Sequence, residues 1–259
     1  MIRSTAVLFL VSLSAAPTAA IAHEVPRAPV APAVDGNPDD VAWKAAEWRA
    51  IDKPVFEPAP APDDFSGRYK VVWTPDYLFL LAEITDDVLT DTHPNPLEWY
   101  WEDDTLEVFI DEDASGGNHQ FDYNAFAYHI ALDNQVVDIA PFDNEQERLS
   151  GRNKVRTFPD HVQARWKRSS EAPHRIYWEA RIAVFGDDYR DPGGGEAAPV
   201  LPTRLAAGKT IGFMVAYCDA DGTDGRQHFV GDVEIPPVNG DRNRGYIDAS
   251  VFGRITLVD

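Results

Sequence analysis

The residues with the clearest chemical potential gather between positions 101 and 126, where the chain reads WEDDTLEVFIDEDASGGNHQFDYNAF. This segment starts with Trp101, enters an alternating stretch that contains Glu107, and passes through an Asp/Ser/Gly loop. A flat aromatic ring can pack on the C–H face of a sugar, and a carboxylate accepts strong hydrogen bonds from hydroxyl groups. The residue types therefore predict recognition of a carbohydrate rather than bond breaking.

The alternation within 105–111 predicts a strand with two distinct faces. One face carries Leu106, Val108 and Ile110. We expect this face in the core, and Glu107 with Phe109 on the opposite face, away from the core. A solvated strand carboxylate remains the alternative for Glu107. For Trp99 and Trp101 the alternative is an aromatic cap on the edge of the core.

Two acidic loops place oxygen ligands at alternate positions before a glycine. The residues concerned are Asp111, Asp113 and Ser115 in one loop, and Asp219, Asp221 and Asp224 in the other. This spacing is typical of the opening of a calcium-binding loop, and carboxylate oxygens are ligands that Ca²⁺ prefers. We therefore predict structural Ca²⁺, with solvated acidic turns as the alternative. Strands rather than helices flank the loops, which excludes a true EF-hand.

Charge and the N-terminal pattern restrict the partners and the compartment. The 259 residues include 23 Lys and Arg against 43 Asp and Glu, a net charge of −20, which repels nucleic acid and anionic lipid. Residues 1–22 combine Arg3, an apolar run and Ala20-Ile21-Ala22, which predicts a signal peptide cleaved after Ala22 and a periplasmic or extracellular protein. No apolar run is long enough to predict membrane insertion. Cys218 is the single cysteine, so no internal disulfide can form.

The rest of the chain consists of short period-two segments separated by Gly, Pro, Asp and Asn. Residues 23–30 are expected to form a loosely held Pro/Ala-rich arm, and residues 31–259 one domain. The predicted strands are Tyr69–Trp73, Tyr77–Ile84, Thr105–Ile110, Phe121–Leu132, Val162–Trp166, Ile176–Val184, Ile211–Tyr217, Phe229–Ile235 and Arg254–Val258. Only Asp39–Trp48 is a candidate for a short helix. This pattern predicts an all-β, antiparallel, jelly-roll-like β-sandwich with few short helices.

From about residue 31 to its end the chain is similar to the family 9 carbohydrate-binding modules. The motifs that carry the resemblance are Val34-Asp35-Gly36 followed by Trp43, YKVVWTPDYLFLLAEITDD (69–87), WEDDTLEVFIDED (101–113) and NRGYIDASVFGRITL (243–257). The resemblance implies a β-sandwich that binds a mono-, di- or oligosaccharide without catalysis. It also implies structural calcium.

The resemblance assigns sugar-binding roles to six residues: Trp101, Glu107, Asp122, Asn124, Asn243 and Tyr246. Trp101 and Tyr246 would hold the sugar between their rings, and the other four would hydrogen-bond its hydroxyl groups. At position 122 the family has a basic residue, so Asp122 reverses the charge. A surface polar ladder is the alternative for Asp122 and Asn124, and a core aromatic beside Phe252 is the alternative for Tyr246.

The sequence offers less support for other functions. A glycoside hydrolase needs two carboxylates on either side of a cleft. Because the chain has 43 acidic residues, many pairs could be proposed, and the sequence gives no specific evidence for such a site. Met214 on a strand leaves a haem-binding electron-transfer sandwich as a second possibility, although Met is more often a core residue. A structural surface domain is the third. As a binding module, the protein would act beside a separately encoded hydrolase or transporter.

Overall fold

The computed structural model describes residues 22–191, 199–222 and 225–259. Its strands are β1 (His23–Pro26), β2 (Arg49–Ile51), β3 (Lys53–Pro54), β4 (Phe65–Trp73), β5 (Leu78–Asp86), β6 (Thr105–Asp111), β7 (Phe126–Ala131), β8 (Val136–Ala140), β9 (Lys154–Thr157), β10 (Val162–Arg168), β11 (Ile176–Ile182), β12 (Thr210–Asp219), β13 (His228–Gly231) and β14 (Gly253–Val258). Helical structure is limited, over the same ranges, to α1 (Glu145–Leu149) and two 3₁₀ turns, Val41–Lys44 and Ala249–Val251. The predicted all-β class is confirmed.

The strands form two sheets that pack face to face. One sheet has nine strands in the order β1-β14-β12-β6-β7-β8-β9, with β13 and β3 attached through β12. The other has five strands in the order β10-β11-β5-β4-β2. The long central strands pair antiparallel, as in the β6–β12 register that aligns Glu107 with Ala216. The predicted antiparallel sandwich is thus confirmed, except that β1 joins the edge of the nine-stranded sheet in parallel with β14.

Three apolar clusters follow from alternation on these strands. The largest lies between the sheets, where side chains such as Val108 and Trp178 are fully buried. A second cluster covers the outer face of the nine-stranded sheet around Phe109 and Met214. A third packs Trp43 against the outer face of the five-stranded sheet. The nine-stranded sheet is therefore apolar on both faces at its centre, and all seven residues of β6 are buried.

The Val34-Asp35-Gly36 motif is fixed by a buried carboxylate. Glu179 accepts hydrogen bonds from the backbone N–H groups of Asp35 and Gly36, and from the indole N–H of Trp43, all at 2.9 Å. Gly36 has φ +78°, and a Cβ there would lie 2.8 Å from the backbone N of Lys167. Only glycine fits this close approach without strain. The motif therefore anchors the N-terminal segment to the five-stranded sheet.

Several of the sequence-based boundaries need correction, among them Phe229–Ile235, which is a strand only as far as Gly231. The expected loosely held arm is attached, because β1 pairs in parallel with β14 from His23 to Pro26. Phe121–Leu132 is a strand only from Phe126 to Ala131. The predicted helix over Asp39–Trp48 is a single 3₁₀ turn.

The helices in the described ranges are all short. The longest has five residues, so none of them has the length or the apolar character that crossing a bilayer requires.

Candidate functional site

A cavity of about 210 Å³ opens on the outer face of the nine-stranded sheet. It is lined by Tyr100, Trp101, Glu107, Phe109, His129, Ile139, Asn153, Arg226, Phe229, Asn243 and Tyr246. Four of the six predicted sugar contacts thus share one cavity, although they come from segments far apart in sequence. We call this cavity the outer-face pocket.

Glu107 lies at the base of the outer-face pocket and is 2% exposed. Glu107 does lie on the face of β6 opposite Leu106, Val108 and Ile110, as predicted. The prediction that this face lies away from the core is wrong, because both faces of β6 are buried. Its Oε1 lies 3.0 Å from Nε2 of His129, the residue opposite it in the β6–β7 register. Cys218 Sγ donates to the same oxygen at 2.9 Å. Glu107 is therefore an oriented acceptor and not a solvated strand carboxylate.

The charge states of this pair reinforce each other. Burial opposes the charge on Glu107, but His129, Arg226 and the Cys218 hydrogen bond together hold the pKa of Glu107 below its usual value. Burial alone would lower the pKa of His129, whereas the charge of Glu107 and the hydrogen bond between them raise it. The pair is thus an ion pair beneath the opening, and neither member was a sequence-predicted partner of the other.

Arg226 supplies the second positive charge of the outer-face pocket. Its guanidinium lies over the rings of Phe56 and Phe229, 4.7 and 4.6 Å from their centroids. Its Nη1 is 3.2 Å from Cys218 Sγ and 4.0 Å from Glu107 Oε1. The sequence gives only a weak indication of Arg226, which is a basic residue at the end of a loop otherwise rich in aspartate.

Three consecutive aromatic residues on one wall have different roles. Tyr100 is buried and packs edge-on against both Trp101 and His129, with ring centroids 4.8 and 4.6 Å apart. Trp101 is half-buried on the pocket wall, while Trp99 is 57% exposed and does not line the pocket. The core-edge cap is therefore Tyr100, and Trp101 is the aromatic available to a ligand.

The closing segment 243–257 also contributes to the lining of the pocket. Gly245 lies so close to the second apolar cluster that a Cβ would come within 2.7 Å of Met214 Cε. Its carbonyl oxygen is 2.8 Å from Nε2 of His119, which fixes the loop. Asn243 and Tyr246 on either side of Gly245 are half-buried and line the pocket. Tyr246 is thus a wall residue rather than a core aromatic.

Asp122 and Asn124 do not reach the outer-face pocket. They lie in the turn before β7, not on the strand that the sequence predicted, and do not share a face with Phe126 and Tyr128. Asp122 Oδ1 accepts the backbone N–H of Asn124 at 2.9 Å, and the Asn124 amide donates to the Gly116 carbonyl at 2.8 Å. Both side chains therefore shape the loop between β6 and β7. The His129 and Arg226 side chains occupy the pocket instead.

The haem alternative depended on Met214 being accessible. Met214 is 2% exposed and packs in the second apolar cluster beneath Gly245. Its thioether is a core filler and does not line the pocket. Nothing in this environment favours an axial ligand.

A separate cluster of carboxylates lies at one end of β5 and β12. Three overlapping groups have ligand atoms within 4.8 Å of one another: Asp86 with Asp104 and Asp219, Asp64 with Asp219 and His228, and Asp64 with Asp87 and Asp221. We call these seven residues the acidic cluster. Asp86 and Asp219 are fully buried. Among the described residues, neither carboxylate oxygen of Asp219 and only one of Asp86 has a hydrogen-bond partner.

The mutual repulsion in the acidic cluster appears in its pKa values. Burial, and next the charge of Asp86, raise the pKa of Asp104 to about 9. Burial and the neighbouring aspartates raise the pKa of Asp219 to about 8, and burial raises that of Asp86 to about 6. Protons or a cation must therefore offset the charge. The oxygen-rich donor set fits a hard divalent cation such as Ca²⁺ better than a soft metal.

The two predicted calcium loops differ in what they contribute. Asp219 and Asp221 belong to the acidic cluster, whereas Asp224 lies outside the described residues. In the other loop, Asp111 Oδ2 accepts the Gly116 N–H at 2.7 Å and Asp113 Oδ1 accepts the Ser115 N–H at 2.9 Å. Those two oxygens close their own loop, while the buried Asp111 Oδ1 has no hydrogen-bond partner among the described residues. The cluster partners Asp86 and Asp104 were not predicted, because they come from other strands.

Comparison with known proteins agrees with this fold. The family model described as "Carbohydrate family 9 binding domain-like" matches residues 34–259. A family 9 carbohydrate-binding module from Caldicellulosiruptor kristjanssonii, solved with cellotriose, superimposes with a TM-score of 0.62 at 19% identity, over 92% of this chain and 94% of that one. The same organism's module solved with glucose gives 0.61 at 18% identity, over 90% and 95%.

Two relatives are polysaccharide-degrading enzymes in which only a small part matches. Endo-1,4-beta-xylanase A of Thermotoga maritima is 32% identical over 92 residues, which is 36% of this chain and 8% of the relative. Exoglucanase XynX of Acetivibrio thermocellus is 27% identical over 104 residues, 40% of this chain and 9% of the relative. The chain thus spans less than a tenth of these relatives' length. The family match over residues 34–259, together with the sandwich, shows that this chain belongs to the carbohydrate family 9 binding domain-like family.

Proposed function

We propose that this protein binds the end of a saccharide in the outer-face pocket, without catalysis, with a sugar ring between Trp101 and Tyr246. The observation that carries the proposal is that these two half-buried aromatics line one cavity whose base holds the oriented carboxylate of Glu107. Aromatic faces bind the C–H surface of a pyranose, and each contributes roughly 0.5–1.5 kcal/mol beyond area burial, by analogy with aromatic pairs.

The polar groups give the site its orientation. Glu107 accepts from sugar hydroxyl groups, and His129 and Arg226 keep it charged. Asn243 adds an amide that both donates and accepts. A hydrogen bond to a charged group is worth about 1.5–3 kcal/mol when it is desolvated. Asp122 and Asn124 act, in this proposal, on the loop beside the site and not on the sugar.

The size of the pocket bears on the ligand. A cavity of about 210 Å³ is smaller than the roughly 300–1,000 Å³ that drug-sized ligands occupy, which favours one sugar ring or a chain end. Glucose and cellotriose, the ligands named for the two similar structures, are suitable probes. We propose a mono-, di- or oligosaccharide of this class. Because matching segments occur in xylanases, we also propose that the protein acts beside a separately encoded hydrolase or a transporter.

The test is calorimetric titration of glucose and cellotriose into the wild-type protein, Trp101→Ala and Phe121→Ala. Phe121 is the control, since it is an exposed aromatic that packs against Phe142 and does not line the pocket. Trp99 is unsuitable because its ring centroid lies 5.6 Å from that of Trp101. Trp101→Ala should abolish detectable binding with little loss of thermal stability, and Phe121→Ala should keep wild-type affinity. Equal affinity in wild type and Trp101→Ala would contradict the proposal.

For the acidic cluster, we propose a structural Ca²⁺ held chiefly by Asp86, Asp104 and Asp219. The supporting observation is that Asp86 and Asp219 are fully buried and retain oxygens without partners in the described chain. Ca²⁺ takes six to eight oxygen ligands, which the cluster can supply together with water. Ca²⁺ should raise the melting temperature of the chelator-treated protein, and Asp219→Asn should remove that increase. A melting temperature that does not respond to Ca²⁺ would contradict the assignment.

We further propose that the protein is exported to the periplasm or outside the cell, with cleavage after Ala22. The Arg3, apolar and Ala-Ile-Ala pattern supports this, as does the negative charge of the chain. N-terminal sequencing of protein from the periplasmic and culture fractions should find His23 first. An intact Met1 in cytoplasmic material alone would contradict export.

A further inference from the structure

The acidic cluster and the outer-face pocket are built on the same two segments of chain. Segment 101–107 carries Trp101 and Glu107 of the pocket and Asp104 of the cluster. The hairpin from the end of β12 to β13 carries Asp219 and His228 of the cluster, and Arg226 of the pocket. A displacement of either segment at the cluster therefore displaces pocket residues.

Glu102 joins these two segments directly at the pocket. Its Oε1 accepts the indole N–H of Trp101 at 2.7 Å, and its Oε2 accepts the backbone N–H of Arg226 at 2.9 Å. Gly225 has φ +85°, and a Cβ there would lie 2.2 Å from Glu102 Oε2. The chain thus leaves room at position 225 for this carboxylate. Glu102 fixes the orientation of the aromatic wall and the position of the cationic residue together.

A second tie lies inside the cluster. Asp104 Oδ1 accepts the backbone N–H of Ala220 at 2.8 Å, and its Oδ2 accepts that of Thr90 at 2.6 Å. Asp219 is paired with His228 at the base of the hairpin. A cation bound by Asp104 and Asp219 holds the two segments together at this point. When the cation is removed, this end of the two segments keeps the hydrogen bond between Asp104 and Ala220 but loses the shared ion.

We propose that cation binding at the acidic cluster sets the sugar affinity of the outer-face pocket, with Glu102 as the positioning residue that links them. This inference rests on the proposed sugar binding and on the proposed cation. Coupling between two sites typically changes affinity by about 5- to 150-fold, and it is reciprocal. Cellotriose should therefore raise the affinity for Ca²⁺ by the same factor as Ca²⁺ raises the affinity for cellotriose.

The experiment measures cellotriose affinity by calorimetry in Ca²⁺ and in chelator, for wild type, Glu102→Ala and Glu98→Ala. Glu98 is an exposed glutamate of the same loop and serves as the matched control. Wild type and Glu98→Ala should lose affinity at least 5-fold in chelator. In Glu102→Ala the two conditions should give the same affinity, while the increase in melting temperature with Ca²⁺ persists, which shows that the fold and the cluster are intact.

The failures can be told apart. Equal cellotriose affinity in Ca²⁺ and chelator for wild type, with a melting temperature that does respond to Ca²⁺, would overturn the coupling and leave sugar binding in place. A Ca²⁺ dependence of affinity that survives unchanged in Glu102→Ala would overturn the role of Glu102. No sugar binding in any condition would overturn the proposed function and the coupling with it.

Discussion

The buried ion pair beneath the pocket gives the sharpest prediction for a single side chain. Glu107→Gln keeps the size of the side chain and removes one charge, in a position that is 2% exposed and 3.0 Å from His129. Two unit charges at that distance attract by about 5.5 kcal/mol at an effective dielectric constant of about 20, before desolvation is subtracted. Removing one partner of a buried pair typically costs about 3–5 kcal/mol.

The variant should lose less stability than this, because the protonation state of His129 can change. Once Glu107 is neutral, its charge no longer opposes the effect of burial, so the pKa of His129 falls below its wild-type value, although Asp138 and the Ala127 carbonyl still raise it. The neutral imidazole has a single N–H, which can donate either to the Ala127 carbonyl or to the amide oxygen. We therefore expect a loss of about 1–3 kcal/mol in the free energy of unfolding at pH 7.5. Glu145→Gln is the control, since Glu145 belongs to an exposed pair with Arg148 that contributes little to stability.

The pH dependence separates this mechanism from a simple packing effect. In the wild type, the pKa of His129 is higher in the folded state than in the unfolded state, so protonation of His129 stabilises the fold. This contribution is complete below the pKa of the unfolded state and is lost as pH rises through the pKa of the folded state. In Glu107→Gln the pKa of His129 is lower than in the wild type, so the variant gains less stability from protonation of His129 as pH falls. The difference between the two proteins should therefore be larger at pH 5.5 than at pH 8.

The assay is urea denaturation at both pH values, with cellotriose titration at pH 7.5. Loss of a charged hydrogen bond worth about 1.5–3 kcal/mol corresponds to roughly 10- to 150-fold weaker binding. A difference in stability that shrinks as pH falls, or a variant that matches Glu145→Gln in both assays, would refute the role assigned to the pair.

Two further predictions follow from other parts of the molecule. In chelator, the melting temperature should fall as pH rises from 6 to 9, because the pKa values of Asp104 (about 9) and Asp219 (about 8) are raised, so the folded state binds more protons than the unfolded state in this range. Saturating Ca²⁺ should make the melting temperature less dependent on pH. Parallel plots of melting temperature against pH with and without Ca²⁺ would argue against the cation. Gly36→Ala should lower the free energy of unfolding, measured by urea denaturation, by about 1–3 kcal/mol, since φ is +78° and a Cβ would lie 2.8 Å from the Lys167 backbone N. Gly151 is also at positive φ but has open space around it, so Gly151→Ala should lower the free energy of unfolding by less.

Local pattern was enough to predict the strands that alternate cleanly. The stretch 176–182 shows its apolar face in sequence, and the structure buries Ile176, Trp178, Ala180 and Ile182. The short strands β8 and β9 and the pairing of β1 with β14 were not predicted. Such strands depend on partners that are distant in the chain, and two to five residues carry too little periodicity to identify them.

The site was partly predictable for the same reason. The motifs that begin at Trp101 and end beyond Tyr246 identified both of these aromatic pocket residues and Glu107. They failed at Asp122 and Asn124, because local side-chain-to-backbone hydrogen bonds hold that stretch as a turn before the strand begins at Phe126. His129 and Arg226 could not be found, since they meet Glu107 only through strand register and the course of a hairpin.

The acidic cluster shows what spacing alone omits. Asp219 and Asp221 were identified by their alternate spacing. The residues that complete the cluster come from elsewhere in the chain: Asp64 precedes β4, Asp86 and Asp87 lie at the end of β5, Asp104 precedes β6, and His228 begins β13. In the loop with the better calcium-like spacing, Asp111 Oδ2 and Asp113 Oδ1 accept N–H groups of the loop itself, while the buried Asp111 Oδ1 has no partner among the described residues. The convergence of carboxylates from several parts of the chain, and not spacing, distinguishes the acidic cluster.

A crystal structure of the protein with cellotriose tests the central claim most directly. The account predicts a glucose ring between Trp101 and Tyr246, with a hydroxyl group within hydrogen-bond distance of a Glu107 oxygen. A sugar bound elsewhere, for example in the hollow of about 490 Å³ beside Phe158 and Tyr189, with the outer-face pocket empty, would contradict it.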